Sequence, residues 1–88
     1  MPKLPAMSSR ELTKLLEKGG AVYVRQGSTD HAIYCRFTEG RRYSAPVQMG
    51  KKNLDPAYCK RVLRQLKFND DEIAELFLME EIPMILTG

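Results

Sequence analysis

The sequence is poor in the side chains that build metal and redox sites. Its 88 residues include one histidine, His31, and two cysteines, Cys35 and Cys59, which lie far apart and form no CxxC pair. This set lacks the ligand spacing of a zinc site. Each cysteine falls within the apolar pattern of its own segment, which is typical of a buried free thiol. We therefore expect no metal, no cofactor and no disulfide.

Long hydrophobic runs are also missing. No stretch approaches the ~20 apolar residues that a membrane-spanning helix needs. Residues 1–5 have neither the apolar segment nor the cleavage site of a secretory signal. We therefore expect a soluble cytoplasmic protein that does not engage a membrane. The length and the 43% hydrophobic content indicate one core, and hence a single domain over residues 1–88.

Positive charge is absent from the end of the chain. All 14 lysines and arginines lie at or before Lys67, together with five of the 11 acidic residues, and the other six acidic residues follow it. A domain with such an excess of positive charge attracts polyanions through counterion release and long-range steering. The charge distribution thus predicts a nucleic-acid-binding domain to which the acidic segment is an appendage.

Helix start signals occur three times. A capping box precedes the first apolar stripe, an aspartate-proline pair precedes the second, and a further capping arrangement precedes the third. These signals are Ser8 with Glu11, Asp55 with Pro56, and Asn69 with Glu72. They predict helices that begin at Ser9, at Pro56 and just after Asn69.

Between the first two helices, segments 21–26, 31–37 and 42–47 have the composition and alternation of strands. Residues 38–41 have the character of a hairpin turn, and Pro46 indicates an edge strand or a strand end. Alternation in the second strand places Ile33, Cys35 and Phe37 on one face, which we expect to be the core. It places Ala32, Tyr34 and Arg36 on the other, which we expect to be the outward face.

The resulting order is α-β-β-β-α with an added acidic C-terminal helix. Short connections between consecutive strands predict a three-stranded antiparallel sheet with helices on one face. This α+β layout resembles a double-stranded-RNA-binding domain.

Local motifs add a family resemblance over residues 8–68. They are the helix 9–17, the strand end 24–26, the turn 27–28 before the run 31–34, the loop 50–54 and the helical segment 61–66. In this order and spacing they resemble the HicA (YcfA-like) mRNA interferase toxins of type II toxin–antitoxin systems. Thr29 and Asp30 lengthen the loop before His31 relative to the family pattern. Residues 69–88, an acidic helix and an apolar tail, extend beyond it.

The resemblance implies an endoribonuclease that cleaves mRNA without a metal ion and is held inactive by a HicB-type antitoxin. It makes His31 the catalytic residue, acting as general base or acid, with Ser28 among the RNA contacts. Histidine is also the one side chain here whose ordinary pKa, ~6.5, suits proton transfer near neutrality. On pattern alone, a single histidine at the start of a strand is explained at least as well by a structural or merely exposed position.

Basic and aromatic residues supply the other candidate RNA contacts. Lys51 and Lys52, in a loop that begins with glycine, are the strongest candidates for binding phosphates. Arginines at 25, 36, 41 and 42 would extend that surface, and tyrosines at 34 and 43 would stack on bases. With Ser28, which the resemblance implies, the candidate contacts are Lys51, Lys52, Arg25, Arg36, Tyr34 and Ser28. Solvated strand positions, or packing against a neighbour, would explain most of them nearly as well.

Two other functions fit the same sequence. A non-catalytic RNA-binding module would use the same fold and charge, and the longer loop before His31 is consistent with it. A protein-interaction domain would depend mainly on the acidic segment and the apolar terminus, which could also form a homodimer.

Overall fold

The computed structural model describes residues 4–79, with the backbone alone at Met79. Its elements follow the predicted order, and the α+β fold class is confirmed. They are α1 (Ser9–Lys18), β1 (Val22–Gln26), β2 (His31–Thr38), β3 (Arg41–Gln48), α2 (Pro56–Gln65) and α3 (Asp70–Met79). The apolar tail, for which we expected packing on the domain or on a second copy, lies outside the described residues.

Each helix begins where its capping signal predicts. The Ser8 hydroxyl accepts from the Glu11 N–H at 3.1 Å, and the Glu11 carboxylate accepts from the Ser8 N–H at 2.9 Å. The Asp55 carboxylate accepts from the Ala57 N–H at 2.8 Å, and Pro56 takes the first position of α2. Before α3, Asn69 and Glu72 exchange two such bonds, at 2.9 and 2.8 Å. These bonds satisfy N–H groups that the first helical turn would otherwise leave without partners.

α3 belongs to the hydrophobic core, and the expectation that this segment is an appendage was wrong. Ile73, Leu76 and Phe77 are buried in the same cluster as the leucines of α1. At the end of α1, Gly19 approaches the ring of Phe68 so closely that a Cβ there would lie 2.5 Å from it. Asp71 and Glu75 are exposed on the outer side of α3, a helix that the domain needs for its core.

The sheet is antiparallel, in the order β1-β2-β3. Glu39 and Gly40, with φ of 54° and 73°, form the two-residue turn between β2 and β3, a conformation that suits the twist of a hairpin. β3 continues through Pro46 to Gln48. The Gln48 N–H points away from β2 and donates to the Tyr58 hydroxyl, and Pro46, two residues earlier, faces the same way, so its missing N–H costs the sheet no ladder bond.

The helices cover the face of β2 that we expected to point outward, so this prediction was wrong. Ala32, Tyr34 and Arg36 are buried there, as are their cross-strand neighbours Ala45 and Val47. Tyr34 contacts Glu17 of α1, and Arg36 contacts the end of α2 and Glu72 of α3. We call this side the covered face. The opposite side, which we call the open face, carries His31, Ile33, Cys35 and Phe37.

Candidate functional site

His31 occupies the first position of β2, at the end of the open face, and is half-buried. Its ring nitrogen Nδ1 lies 2.9 Å from the Ser28 hydroxyl. Two backbone bonds close the intervening loop, from the Gly27 N–H to the His31 carbonyl at 2.7 Å and from the His31 N–H to the Ser28 carbonyl at 3.1 Å. Ser28 therefore orients the ring through Nδ1.

Gln26 supports the same loop from β1. Its side-chain amide donates to the carbonyls of Ser28 and Thr29, both at 3.0 Å. On the other side, the Asp30 carbonyl accepts from the Met49 N–H at 2.7 Å. Thr29 and Asp30, which lengthen the loop, are thus held by bonds from both flanking strands.

The position of His31 on the open face agrees with strand alternation. Its register partner is Gln48 at the end of β3, and Ile33 and Phe37 lie on the same side of the same strand. If that face were the core, as we expected, the imidazole would point into the domain. With the helices on the other side, an ordinary strand residue at position 31 points away from the core.

The loop after β3 brings Lys51 and Lys52 to the same end of the sheet. Ser9, which is buried at the start of α1, bonds this loop three times. Its hydroxyl donates to the Gln48 carbonyl at 2.6 Å and accepts from the Lys51 N–H at 3.0 Å, and its own N–H donates to the Lys51 carbonyl at 2.9 Å. The backbone of the loop is fixed, while the side chains of both lysines are exposed.

Arg36 has a structural role in the covered layer, contrary to its predicted place on the outward face. Its guanidinium donates to the Leu66 carbonyl at 3.1 Å and to the Glu72 carboxylate at 2.6 Å, and lies 3.9 Å above the Phe68 ring. The Asn69 N–H and then Arg36 hold the pKa of Glu72 below its usual range. Arg36 is too buried to belong to an RNA-binding surface.

Tyr34 is likewise not available for base stacking. It is buried on the covered face, with its hydroxyl 3.3 Å from the Glu17 carboxylate. Burial, and then the charge of Glu17, raise the pKa of this phenol. Its ring meets the edge of Tyr23, with the two centroids 5.9 Å apart. Tyr34 therefore packs the sheet against α1.

The other basic residues differ in whether they contact another side chain within the fold. Arg25 and Arg42 are exposed strand residues. Arg64 of α2 forms an ion pair with Asp70 at 3.0 Å. Lys67 follows that helix, and its ammonium lies 5.4 Å from the centre of the Tyr43 ring. The exposed cations closest to His31 along the sheet register are thus in β1 and in the loop after β3.

The two cysteines are buried free thiols, as predicted. Burial raises the pKa of Cys59 to about 11, so this thiol is not a nucleophile at neutral pH. Residues 4–79 hold no cluster of three histidine, cysteine or acidic side chains that could bind a metal ion. Nor does any helix of this part of the chain have the length and apolarity to cross a membrane.

Comparison with known proteins identifies the family. Residues 9–68 match the family model of the HicA toxin of bacterial toxin–antitoxin systems. The chain belongs to the HicA toxin family. It is therefore a toxin with an antitoxin partner. Searches among curated proteins and among solved structures gave no match. The family match runs from α1 to Phe68 and includes His31, Ser28 and both lysines of the loop.

Sequence reasoning missed two residues that shape this site, Ser9 and Gln26, and it assigned Phe37 to the wrong side of the sheet. Ser9 was assigned only to the helix start, and no local signal shows that it would bond a loop about 40 positions away. Gln26 was recognised as a strand end, without its bonds to the loop. Phe37 was assigned to the core and is 71% exposed. Phe37 shares a strand face with His31, and this shared position could have revealed that Phe37 is exposed.

Proposed function

We propose that this HicA toxin is a metal-independent endoribonuclease that cleaves mRNA, with His31 as the group that transfers the proton. The observation that carries the proposal is the imidazole of His31, fixed through Nδ1 by Ser28 on the open face of the sheet. RNA supplies its own nucleophile in the 2′-hydroxyl. The enzyme then has to move protons and to stabilise charge on phosphorus.

The contact with Ser28 suits either half of the proton transfer. As a general base, His31 would donate its Nδ1–H to the Ser28 oxygen and take the 2′-hydroxyl proton on Nε2. The 2′-oxygen then bonds to the adjacent phosphorus, and the bond from phosphorus to the 5′-oxygen breaks. As a general acid, the imidazolium would give its Nε2 proton to that departing oxygen. In both cases Ser28 stabilises the charged ring.

Lys51 and Lys52 are suited to the negative charge that develops on the phosphoryl oxygens. Their side chains are exposed, and three bonds to Ser9 fix the backbone of their loop. Cations that are positioned before the reaction stabilise a transition state better than groups that must reorganise. Arg25 on β1 would add contacts to flanking phosphates.

The decisive experiment compares the wild type with His31→Ala in a host that lacks the antitoxin. We expect the substitution to abolish growth arrest, and to lower RNA cleavage by the purified protein by about 10²- to 10⁴-fold, with stability unchanged. Ser28→Ala should lower the rate less, because it removes only the orienting contact. Wild-type cleavage should persist in excess EDTA. Equal toxicity of wild type and His31→Ala would refute the role of His31.

The lysine pair is tested by its effect on salt dependence. We expect Lys51→Ala/Lys52→Ala to weaken RNA binding and to lower the slope of log K against log salt by about 1 to 2. An unchanged slope would remove the pair from the contact surface. If the wild type bound RNA but did not cleave it, the toxin would be a binding module.

The antitoxin partner that family membership implies would, in this proposal, be a HicB-type protein that blocks access to His31. Co-expression with such a protein from the same genome should restore growth. The purified complex should lose RNA binding and cleavage together. A complex that still cleaved RNA at the full rate would show that inhibition works elsewhere.

A further inference from the structure

Phe37 is unusually exposed for a residue in the middle strand of a sheet. Its side chain is 71% accessible, although phenylalanine is among the residues most often buried. It stands on the open face, on the same side of β2 as His31 and six residues along the strand. At about 3.3 Å per residue, the two side chains are roughly 20 Å apart. The domain gains little stability from an aromatic ring in this position.

Two arginines lie on the same face as this aromatic ring. Arg42 is the direct cross-strand partner of Phe37, and Arg25 is the partner of Ile33, which lies between Phe37 and His31 on the open face. Directly opposite residues in an antiparallel pair project to the same side. Both arginines are exposed. The open face thus presents an aromatic ring and guanidinium groups on the side of the sheet that carries the imidazole.

We propose that the open face is a stacking platform for single-stranded RNA, on which Phe37 stacks against an unpaired base several nucleotides from the bond cleaved at His31. The inference rests on the proposed ribonuclease function and specifies its substrate as unpaired RNA. Aromatic rings beside a cationic groove are the usual means by which proteins bind single strands without reading their sequence. Arg25 and Arg42 neutralise the phosphates between the two ends of the platform.

Two alternatives fit the face less well. A duplex keeps its bases stacked inside the helix, so an exposed ring has no base face to contact. A protein partner would favour a core of contiguous apolar residues from which charged side chains are depleted. Here the ring is bordered by Arg42. The other exposed positions on this side are Ser44 and Pro46 of β3 and Val22 and Arg25 of β1. Apolar and charged side chains are thus mixed on this face.

The test measures RNA affinity in the His31→Ala background, so that the RNA stays intact. The probes are an unstructured RNA of roughly 12 nucleotides and a duplex of the same length. We expect Phe37→Ala to weaken binding of the single strand by about 5- to 150-fold, and Phe37→Trp to preserve it. Duplex binding should not change. Leu78→Ala is the matched control, because Leu78 is 75% exposed on α3, away from the sheet.

Salt dependence separates stacking from charge. Phe37→Ala should lower affinity at every salt concentration without changing the slope of log K against log salt. Arg42→Gln should instead lower that slope by about 0.7, the value for one phosphate contact on a single strand. Equal losses for the single strand and the duplex would overturn the platform, because the ring would not then be contacting bases.

The outcomes also distinguish this inference from the function on which it rests. If the single strand binds and Phe37→Ala does not weaken it, the platform is wrong and the ribonuclease proposal stands. If Phe37→Ala keeps its RNA affinity in that background, but the active toxin bearing Phe37→Ala is no longer neutralised by the antitoxin, the ring belongs to the protein interface, and the platform is again wrong. If the protein bearing only His31→Ala binds neither RNA while remaining folded, both proposals fail.

Discussion

Arg36 and Phe37 are neighbours in β2, yet the arginine is 8% exposed and the phenylalanine 71%. The charged residue is bound by groups from α3 and from the C-cap of α2, whereas none of the helices described in residues 4–79 covers the apolar one. The difference shows that one face of this sheet is packed against helices and that the other is exposed. The covered face holds the helices to the sheet, and the open face carries the groups that would meet RNA. Substitutions on the two sides should therefore affect different measurements.

The largest effect should come from removing a core side chain of the covered layer. Phe77 is 1% exposed on α3, and its neighbour Leu78 is 75% exposed. We expect Phe77→Ala to lower the free energy of unfolding by about 3–5 kcal/mol, because it leaves a cavity in the core. Leu78→Ala should change it by less than about 0.5 kcal/mol. Urea denaturation measures both, and similar values for the pair would mean that α3 does not belong to the core.

A smaller loss of unfolding free energy should distinguish Arg36 from Arg42 when each is replaced by glutamine. Arg36→Gln removes the bonds to Leu66 and Glu72 and the contact with Phe68, so we expect a loss of about 2–3 kcal/mol. The loss is below that of a fully buried pair, because water reaches Glu72. Arg42→Gln should leave stability within about 0.5 kcal/mol and weaken RNA binding. If Arg42→Gln destabilised the fold as strongly, the division between the faces would be wrong.

The smallest effect is the pH dependence of the contact between α3 and β2. The folded pKa of Glu72 is lowered, first by the Asn69 N–H and then by Arg36. Its carboxylate therefore stabilises the fold above the usual glutamate pKa of ~4.3, and this contribution is lost as the pH falls through the lowered value. We expect Glu72→Gln to cost up to ~1 kcal/mol near neutrality, because the group is partly exposed, and progressively less in acid.

Glu75→Gln, on the exposed side of the same helix, is the matched control for this measurement. Its effect on the free energy of unfolding should stay small at every pH. If the cost of Glu72→Gln did not depend on pH, the ion pair with Arg36 would not contribute to stability.

The helix starts could be predicted because their causes are local. Ser8 with Glu11, and Asp55 before Pro56, satisfy N–H groups within three residues of themselves. The faces of β2 could not be predicted in this way. The face that carries Ile33, Cys35 and Phe37 is the more apolar of the two, and the opposite face contains Arg36. Hydrophobicity alone therefore predicts that the helices cover the wrong face. Arg36 is buried because its partners come from positions 30 and 36 residues away.

The candidate site was predictable only in part, for a related reason. His31 was identified by its chemistry and by family resemblance, and alternation in the structure agrees with its position. The contact from Ser28 falls within the same short motif. The bonds from Ser9 and Gln26 join segments whose proximity depends on how the strands and α1 meet. No pattern within a single segment contains that information.

Ser9 affects the affinity with which the loop around Lys51 could bind a ligand. The three bonds from this one buried residue immobilise the main chain around Lys51 before any ligand arrives. Ordering a flexible loop on association costs conformational entropy, which is subtracted from the affinity. Here the loop backbone is already ordered in the folded protein, and only the rotamers of the two lysine side chains remain to be restricted on binding. The loop therefore resembles a preorganised binding site more than a flexible loop that becomes ordered over its ligand.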